Sequence, residues 1–255
     1  MPDLSSIPLA RWKVAVTRDE PPDGPMHEAL RRHGFEPQSC PVLEERAPAD
    51  PEALRKAAGA LHEYDWLICA SARSVRALRV ARQAPWPRGL CTAAVGEATA
   101  EALVGAGADP PPIVASESGA QALCAHLLDI ERWANRRVLV PGVEGGRREL
   151  VDGLAAAGAV IDEIEAYRMR VRPDQHIKHA WSEAASDAAV ITSPSVGRAL
   201  IAALGVPPFL NLRALVAIGA TTAAALAEYG IHAETPKETG FEPAARRLAE
   251  LRARA

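Results

Sequence analysis

The chain has 255 residues, 48% of them hydrophobic and 24% charged, which is the composition of a soluble globular protein with about two domains. A net charge of −3 argues against general affinity for nucleic acid, and no apolar run reaches the ~20 residues that span a bilayer. Since the N-terminus also lacks the basic start and apolar core of a signal peptide, we expect a cytoplasmic protein with no membrane partner.

Short apolar strands alternate with helices along the whole chain. We expect strands over 13–17, 66–69, 91–95, 113–115, 137–140, 160–166, 189–192, 215–218 and 231–234. We expect helices over 25–33, 51–62, 72–82, 97–104, 119–128, 146–157, 174–185, 195–204, 220–229 and 241–252. This alternation is typical of parallel sheets that helices cover on both faces. We therefore predict α/β domains with doubly wound, flavodoxin-like sheets.

The stretch over 35–46 differs from the other strands because it contains Pro37 and Pro41. Proline donates no backbone hydrogen bond, which favours an edge strand or a linker over a central strand. The stretch over 167–173 occupies the matching place later in the chain. We expect a second linker there.

The chain contains an internal repeat with a period close to 122 residues, the separation of Ser71 from Ser193. The segment DWLICASARSVRAL is repeated as DAAVITSPSVGRAL, and CTAAVGEATAEAL as ALVAIGATTAAAL. A period as long as a domain indicates duplication rather than an array of short repeats. We therefore expect two similar domains with a cleft between them.

Ligands of parallel α/β sheets bind beyond the carboxyl ends of the strands, at the turns that open helices. Here those turns lie at 17–18, 70–73, 95–96, 141–147, 192–195 and 218–219, and they are rich in Ser, Thr, Gly and Ala. Small residues allow backbone amides at helix N-termini to face a bound anion. We therefore expect an anionic small-molecule ligand at these turns.

The sequence lacks the usual cofactor and metal motifs: GxGxxG, GxxxxGK[ST], GxSxG and HExxH are all absent. His176 and His179 lie three apart on an expected helix, where a solvated helix face explains them better than a metal site. No CxxC pair is present, so we predict buried free thiols rather than disulfides or metal ligands. The cysteines are Cys40, Cys69, Cys91 and Cys124.

The turns and the segment before the second linker contain a set of motifs in a fixed order: TSPSVGRAL with AIGATTAAAL, their weaker copies SARSVRAL and AVGEATAEAL, and RVLVPGVEGGRREL followed by GAVIDEIEAYR. Together these motifs resemble the uroporphyrinogen-III synthase family. The resemblance covers almost the whole chain and is carried by the order and spacing of these motifs. It implies a cofactor-free, cyclising hydro-lyase of tetrapyrrole biosynthesis (haem, sirohaem, cobalamin). Such an enzyme closes hydroxymethylbilane into a macrocycle, with loss of water and inversion of the terminal pyrrole ring.

The resemblance also implies how the domains are assembled. One domain would contain residues 1–38 and 172–255, the other residues 44–165, and the linkers 39–43 and 166–171 would lie side by side. Two linkers at matching positions of the repeat fit that arrangement. The implied partner is a linear tetrapyrrole with eight carboxylates, bound by a monomer after transient hand-over from the bilane-forming enzyme.

Tyr167 is the catalytic residue that the resemblance implies, because the family carries a tyrosine at this position. A phenol is protonated at neutral pH and can donate a hydrogen bond to the departing hydroxyl. The alternative is an amphipathic residue that packs between the linkers. Leu43, the counterpart of Tyr167 in the first repeat, has no hydroxyl to donate.

Further residues are expected to bind the substrate. Thr99 and Thr222 correspond to threonines of the family's glycine turns, and the serines begin helices, although each could equally be a helix cap. The arginines could clamp carboxylates through two parallel hydrogen bonds, or form surface salt bridges. The expected substrate-binding set is Arg18, Ser71, Ala72, Arg73, Gly96, Thr99, Arg147, Ser193, Ser195, Gly219, Thr221 and Thr222.

Two positions depart from the family pattern. The first-copy turn of the family usually reads close to TSAN, whereas here residues 70–73 read ASAR. The family often carries an arginine directly after the proline at 141, and here that residue is Gly142. Two alternatives to the enzyme therefore stay open: an anion-binding protein that closes on its ligand without chemistry, and a regulatory relative that binds a tetrapyrrole without catalysis.

Overall fold

The protein divides into two compact units, as seen in a computed structural model that describes residues 11–115, 119–143, 146 and 148–255. Unit 1 comprises the residues up to Glu44 together with Arg170–Ala255. Unit 2 comprises Glu45–Met169. Unit 1 is therefore built from both ends of the chain and unit 2 from its middle, so the chain passes from one unit to the other twice.

Ten strands and eleven α-helices lie in the described part of the chain. The strands are β1 (Lys13–Val16), β2 (Glu36–Ser39), β3 (Leu43–Arg46), β4 (Trp66–Cys69), β5 (Cys91–Ala94), β6 (Ile113–Val114), β7 (Arg137–Val143), β8 (Val160–Val171), β9 (Ala188–Ile191) and β10 (Ala214–Ala217). The helices are α1 (Pro25–Arg32), α2 (Pro51–Gly59), α3 (Ala72–Ala81), α4 (Glu97–Ala106), α5 (Ala120–Ile130), α6 (Glu149–Ala156), α7 (Asp174–Ala184), α8 (Pro194–Leu204), α9 (Pro207–Leu210), α10 (Ala220–Ala227) and α11 (Phe241–Arg252).

Unit 1 is organised around a sheet of four strands in the order β10-β9-β1-β2. All three neighbouring pairs are parallel, and Val14 of β1 lies opposite both Ala188 and Pro37. Beyond β10, Glu234 forms an isolated parallel bridge with Val216. Counting the strands of this unit along the chain gives the order 2-1-3-4, with the bridge in fifth place, which is the flavodoxin-like order.

Unit 2 has a sheet of six strands in the order β3-β8-β7-β4-β5-β6, and the four pairs from β8 to β6 are parallel. The sequence repeat matches β7 to β1, β4 to β9 and β5 to β10. Under that match, β8-β7-β4-β5-β6 has the same spatial order as unit 1. The predicted flavodoxin-like parallel sheets are therefore confirmed, with the strands of unit 2 connected in a permuted order.

The strands are apolar along their whole length because both faces of each sheet are covered. In unit 1, Val14 and Val16 pack on one face, and Ala15 with Ile191 on the other. In unit 2, Leu67 and Cys69 belong to one cluster, whereas Trp66 and Ile68 belong to the cluster on the opposite face. Alternate residues of a strand point to opposite faces, so each sheet supplies two cores.

Three elements differ from the prediction. The strand expected over 231–234 is only the bridge at Glu234, and Pro236, which has no N–H to donate, follows it closely. The strand expected over 160–166 is longer than expected, because β8 continues beside β3 through most of the second linker, as far as Val171. Between the helix expected over 195–204 and the strand expected over 215–218 lies the short helix α9, with proline in its first turn. The edge position expected for the proline-containing strand β2 is confirmed.

Candidate functional site

A β-bulge in β8 decides which way Tyr167 points. Gly142 of β7 pairs with Glu165, but the next residue, Val143, pairs with Tyr167, so that Ala166 is the extra residue. Adjacent residues of a regular strand face opposite sides of the sheet. Here Ala166 and Tyr167 both pack in the same core cluster. The bulge therefore turns Tyr167 toward the face of the sheet that α3 covers.

The phenol of Tyr167 lies against the start of α3. Tyr167 is 8% exposed, and its hydroxyl is 3.3 Å from Ser71 Oγ. Ser71 is the N-cap of α3, and its Oγ accepts a hydrogen bond from the backbone N–H of Ser74 at 3.2 Å. Ser74 Oγ is a further 2.9 Å from Ser71 Oγ. Two residues that the sequence singled out separately, Tyr167 and Ser71, are thus brought together.

Both residues line a pocket of about 880 Å³ at the carboxyl ends of the strands of unit 2. That volume lies within the usual range for small-molecule sites. The wall includes the residues that follow β4 and β5, the end of β7 and the middle of β8. Its polar side chains among the described residues are Ser71, Ser74, Arg148, Glu163, Glu165, Tyr167 and Arg168.

The charged groups of this wall are paired with one another. Arg168 donates to both oxygens of Glu165, at 2.8 and 3.0 Å, and Glu165 also accepts from the backbone N–H of Ala49 at 2.6 Å. Arg148 donates to Glu163 at 3.4 Å and to Asp152 at 3.1 Å. The Arg148–Glu163 pair is exposed and the Arg168–Glu165 pair is partly buried. An exposed pair contributes little stability, so Arg148 can readily exchange its carboxylate for one on a ligand.

Sequence reasoning missed these wall residues, although signals for some of them were present. Glu163 and Glu165 are two residues apart, which is the spacing of one strand face, and Arg148 directly follows Arg147. Arg147, an expected carboxylate clamp, lies outside the described residues. Nothing in the sequence marked Ser74 as a site residue, because a serine in the first turn of a helix is common.

The other expected residues of unit 2 begin helices but do not line the pocket, as far as the described wall residues go. Arg73 forms an ion pair with Glu45 at 3.1 Å, and Ala72 is the first residue of α3. Gly96 is the N-cap of α4 and has open space where a Cβ would stand. Thr99 is buried, and its backbone N–H donates to the carbonyl of Gly96 at 2.9 Å, as a first-turn residue does.

The expected serine and threonine residues of unit 1 also begin helices. Ser193 is the N-cap of α8: its Oγ accepts from the N–H of Val196 at 3.2 Å and lies 3.0 Å from the Oγ of the exposed Ser195. Gly219 is the N-cap of α10, where Thr221 is exposed and Thr222 is buried. The structure thus places these four residues and Gly219 at the carboxyl ends of β9 and β10.

Arg18 of unit 1 is held by a buried polar network. Its Nε lies 2.8 Å from Glu20 Oε2, and its guanidinium stacks 4.5 Å from the ring centre of Phe241. Glu20 Oε1 accepts from the N–H of Met26 and of His27, at 2.9 and 3.0 Å, and lies 2.9 Å from His27 Nδ1. Glu20 therefore accepts hydrogen bonds from the first backbone N–H groups of α1, because the N-cap Gly24 has no side chain that could accept them.

Fold and site together define a protein with two flavodoxin-like units, one of which has a pocket with polar side chains in its wall beyond its strands. A family model described as uroporphyrinogen-III synthase HemD matches residues 24–244. The chain therefore belongs to the uroporphyrinogen-III synthase family, as its resemblance suggested.

Individual relatives agree with this assignment. The chain is 34% identical over 176 residues to the uroporphyrinogen-III synthase of Synechococcus elongatus, an alignment that covers 66% of this chain and 64% of that relative's length. A crystal structure of a mutant uroporphyrinogen III synthase from Thermus thermophilus matches with a TM-score of 0.58 at 19% identity, over 95% of this chain and 99% of that one.

The uroporphyrinogen-III synthetase structure from Helicobacter pylori gives a TM-score of 0.63 at 16% identity, over 94% and 99% of the two chains. At these identities the two structures establish the fold. Of the described residues, no helix is both long and apolar enough to span a membrane. No group of three or more His, Cys, Asp or Glu among them is arranged to hold a metal ion.

Proposed function

We propose that the chain catalyses the reaction for which its family is named, the closure of hydroxymethylbilane to uroporphyrinogen III in tetrapyrrole biosynthesis. The observation that carries the proposal is the contact between the hydroxyls of Tyr167 and Ser71 in the wall of a pocket of about 880 Å³. Such a pocket accommodates a large part of a flexible bilane. The family relation of the chain supports the same reaction.

Tyr167 acts at the first step. Its phenol donates a proton to the hydroxyl of the terminal hydroxymethyl group, which leaves as water, and the electron pair of the pyrrole replaces the broken C–O bond. The pyrrole N–H then returns a proton to the phenolate, so an azafulvene and an unchanged tyrosine remain. General acids of this kind contribute roughly 10²–10⁴-fold to a rate.

The second step is selective closure. The electrophilic CH₂ of the azafulvene is attacked by the substituted α-carbon of the pyrrole that becomes inverted, and the azafulvene nitrogen takes back a proton. The bond from that α-carbon to its original CH₂ bridge then breaks, and the released CH₂ bonds to the unsubstituted α-carbon of the same ring, which loses its proton. This route competes with spontaneous closure without inversion. The enzyme has to hold one folded conformer of the bilane, and positioning of this kind contributes several kcal/mol. We assign Arg148 and Arg168 to bind substrate carboxylates in exchange for their present partners, Glu163 and Glu165.

The test supplies fresh hydroxymethylbilane to the protein and separates the oxidised porphyrin products by isomer. We expect predominantly isomer III from the parent protein and at least a tenfold loss of rate in Tyr167→Phe, as removal of a general acid predicts. Tyr229→Phe is the matched control, because Tyr229 is 44% exposed and lies in unit 1.

The other outcomes separate the alternatives. Isomer III at equal rates in the parent and in Tyr167→Phe would show that Tyr167 packs in the structure but does not act in catalysis. Isomer I alone, at the spontaneous rate, would contradict the enzyme and favour a regulatory relative that binds the tetrapyrrole or another anion without chemistry. Titration of the protein with tetrapyrroles would then measure that binding.

The remaining substrate contacts are proposals of the same kind. Arg18 and the residues that begin helices α3, α4, α8 and α10 are assigned to bind carboxylates through guanidinium, hydroxyl and backbone N–H groups. Their places at the carboxyl ends of strands support this assignment. Alanine variants of Ser193 and Thr221 should raise KM more than they lower kcat, because they remove binding rather than chemistry.

We also propose the domain boundaries 1–38 with 172–255 and 44–165, which the two compact units support. The protein would act in the cytoplasm as a cofactor-free monomer that receives the bilane by transient hand-over. Sedimentation at several concentrations tests the monomer. Retention of full activity after gel filtration with a chelator tests the independence from cofactors and metals.

A further inference from the structure

Ser74 carries a hydroxyl that the proposed reaction does not use. Its side chain is fully buried, in the first turn of α3, and it lies in the wall of the pocket. Among the described residues its hydroxyl has one hydrogen-bond partner, Ser71 Oγ, at 2.9 Å. Ser71 Oγ in turn lies 3.3 Å from the hydroxyl of Tyr167. Three hydroxyls therefore form a chain that ends at the candidate catalytic residue.

Counting protons and lone pairs limits how this chain can be oriented. A serine hydroxyl has one proton and two acceptor sites. One acceptor site of Ser71 Oγ is taken by the backbone N–H of Ser74. One proton and one acceptor site remain for Ser74 Oγ and Tyr167. Ser71 therefore either accepts from Ser74 and donates to Tyr167, or accepts from Tyr167 and donates to Ser74.

The burial of Ser74 favours the first orientation. If Ser71 donated to Ser74, the proton of Ser74 would have no acceptor among the described residues, and a buried unsatisfied donor is costly. If Ser74 donates to Ser71, every proton and acceptor site of Ser71 is used. The phenol oxygen of Tyr167 then receives a hydrogen bond, and its own proton is left for a group in the pocket.

We propose that Ser74 is a positioning residue that acts through Ser71 on Tyr167. The hydroxyl of Ser74 orients that of Ser71, which donates to the phenol oxygen and directs the phenol proton toward the departing hydroxyl of the substrate. The same hydrogen bond stabilises negative charge on that oxygen as its proton leaves. The consequence for catalysis rests on the proposed function, whereas the orientation of the chain of hydroxyls does not.

The internal repeat supports a role tied to the tyrosine. The N-cap of α8 in unit 1 also has a neighbouring hydroxyl, since Ser193 Oγ lies 3.0 Å from Ser195 Oγ. However, the position that matches Ser74 is Val196, and the position that matches Tyr167 is Leu43. The buried serine therefore occurs in the unit that carries the tyrosine, and capping a helix does not require it.

The kinetic test is a double-mutant cycle with hydroxymethylbilane as substrate. Ser74→Ala should lower kcat roughly three- to tenfold with little change in KM, as expected for one lost hydrogen bond. In the Tyr167→Phe background the same substitution should have no effect on kcat. The control is Thr92→Val, which removes another buried hydroxyl of unit 2, one without a hydrogen-bond partner among the described residues and outside the pocket wall.

An equal loss of kcat in both backgrounds would overturn the proposal, because a merely structural serine acts whether or not the phenol is present. So would an unchanged kcat in Ser74→Ala. Thermal unfolding of each variant separates a folding defect from a kinetic one.

A spectroscopic test needs no substrate. The intensity ratio of the tyrosine Raman doublet, higher-frequency band over lower, rises when a phenol oxygen accepts a hydrogen bond, and subtraction of the Tyr167→Phe spectrum isolates Tyr167. We expect this ratio to fall in Ser74→Ala, and an unchanged ratio would overturn the orientation. If the parent protein made no isomer III, the proposed function would fail while this result still decided the orientation.

Discussion

At the scale of single residues, burial sets the acid–base behaviour of several side chains. In unit 2 the hydroxyl of Tyr64 donates to Asp162 at 2.8 Å, and the guanidinium of Arg137 lies 5.0 Å from its ring centre. Burial, together with the hydrogen bond to Asp162, raises the pKa of Tyr64 to about 12. Burial also raises the pKa of the Cys40 thiol to about 12.

Tyr64 should make the stability of the protein depend on pH above the ordinary pKa of tyrosine, which is about 10. Below that pH the phenol is protonated in both states and adds no pH dependence. Between roughly pH 10 and 12 the unfolded chain loses this proton first, so the free energy of unfolding falls as the pH rises. Urea unfolding across this interval should show a smaller fall in Tyr64→Phe, and equal slopes would contradict the assigned pKa.

The cysteines should react at different rates with a thiol reagent at neutral pH. Cys40, Cys69 and Cys124 are buried, whereas Cys91 is partly exposed. Burial raises the pKa of all four thiols, so little thiolate is present and every reaction is slow. Cys91 should nevertheless react first in the native protein. The variant Cys91→Ser should lose the first phase, and persistence of that phase would show that another thiol is accessible.

At the scale of elements, the site depends on how β8 and α3 are placed. The bulge at Ala166 turns Tyr167 to the face that α3 covers, and the N-cap Ser71 begins that helix at the phenol. The sequence contains local signals for the strand and for the helix. The contact between them, however, depends on how β8 and α3 pack against each other. A regular β8 would carry the same residues with Tyr167 on the other face.

Close packing of α5 on α6 gives a test at this scale. A Cβ on Gly153 of α6 would stand 2.4 Å from Cys124 Sγ of α5. Gly153→Ala should therefore lower the free energy of unfolding by about 1–3 kcal/mol, as overpacking does. Gly105→Ala in α4 is the matched control, because nothing lies within 4 Å of its Cβ position. That variant should gain up to about 1 kcal/mol from helix propensity.

Chemical denaturation measures both glycine variants. Combining Gly153→Ala with Cys124→Ala removes the sulfur and should recover part of the loss. If Gly153→Ala were as stable as Gly105→Ala, the helices would not be in close contact.

At the scale of the whole molecule, the boundaries of the two sequence copies differ from those of the two folded units. Unit 1 combines β1 and β2 from the first copy with β9 and β10 from the second. Unit 2 combines the later part of the first copy with β7 and β8 of the second. Both units nevertheless have the same strand order. The duplicated sequence therefore forms two equivalent sheets, each of which contains strands from both copies of the repeat.

This exchange predicts how fragments of the chain behave. Residues 43–171 contain every strand of the unit 2 sheet and should unfold cooperatively on their own. Residues 172–255 lack β1, which lies between β9 and β2, and should not fold alone, because an inner strand is missing and an apolar edge is exposed. Joining residues 11–42 after residue 255 through a flexible linker should restore cooperative unfolding, as measured by circular dichroism in urea. Cooperative unfolding of residues 172–255 alone would contradict this account.

Much of the fold could be predicted because it is encoded locally. Apolar runs such as WLIC and AAVI indicated buried strands, Pro37 indicated an edge, and serines before helical periodicity indicated the caps at Ser71 and Ser193. The repeat indicated two similar units, and the order of the motifs indicated the family. Each of these signals depends on a residue and its near neighbours, or on comparison of the chain with itself.

The candidate site could be predicted only in part. The sequence pointed to Tyr167 and Ser71 as separate residues, but the extension of β8, the bulge that turns the phenol, and the buried hydroxyl of Ser74 were decided by the tertiary structure. Strand register and the partners of a side chain depend on residues far away in the chain, and periodicity carries no information about them. The sequence by itself thus determined the elements, the duplication and the family, whereas long-range pairing determined which halves join and which hydroxyls meet.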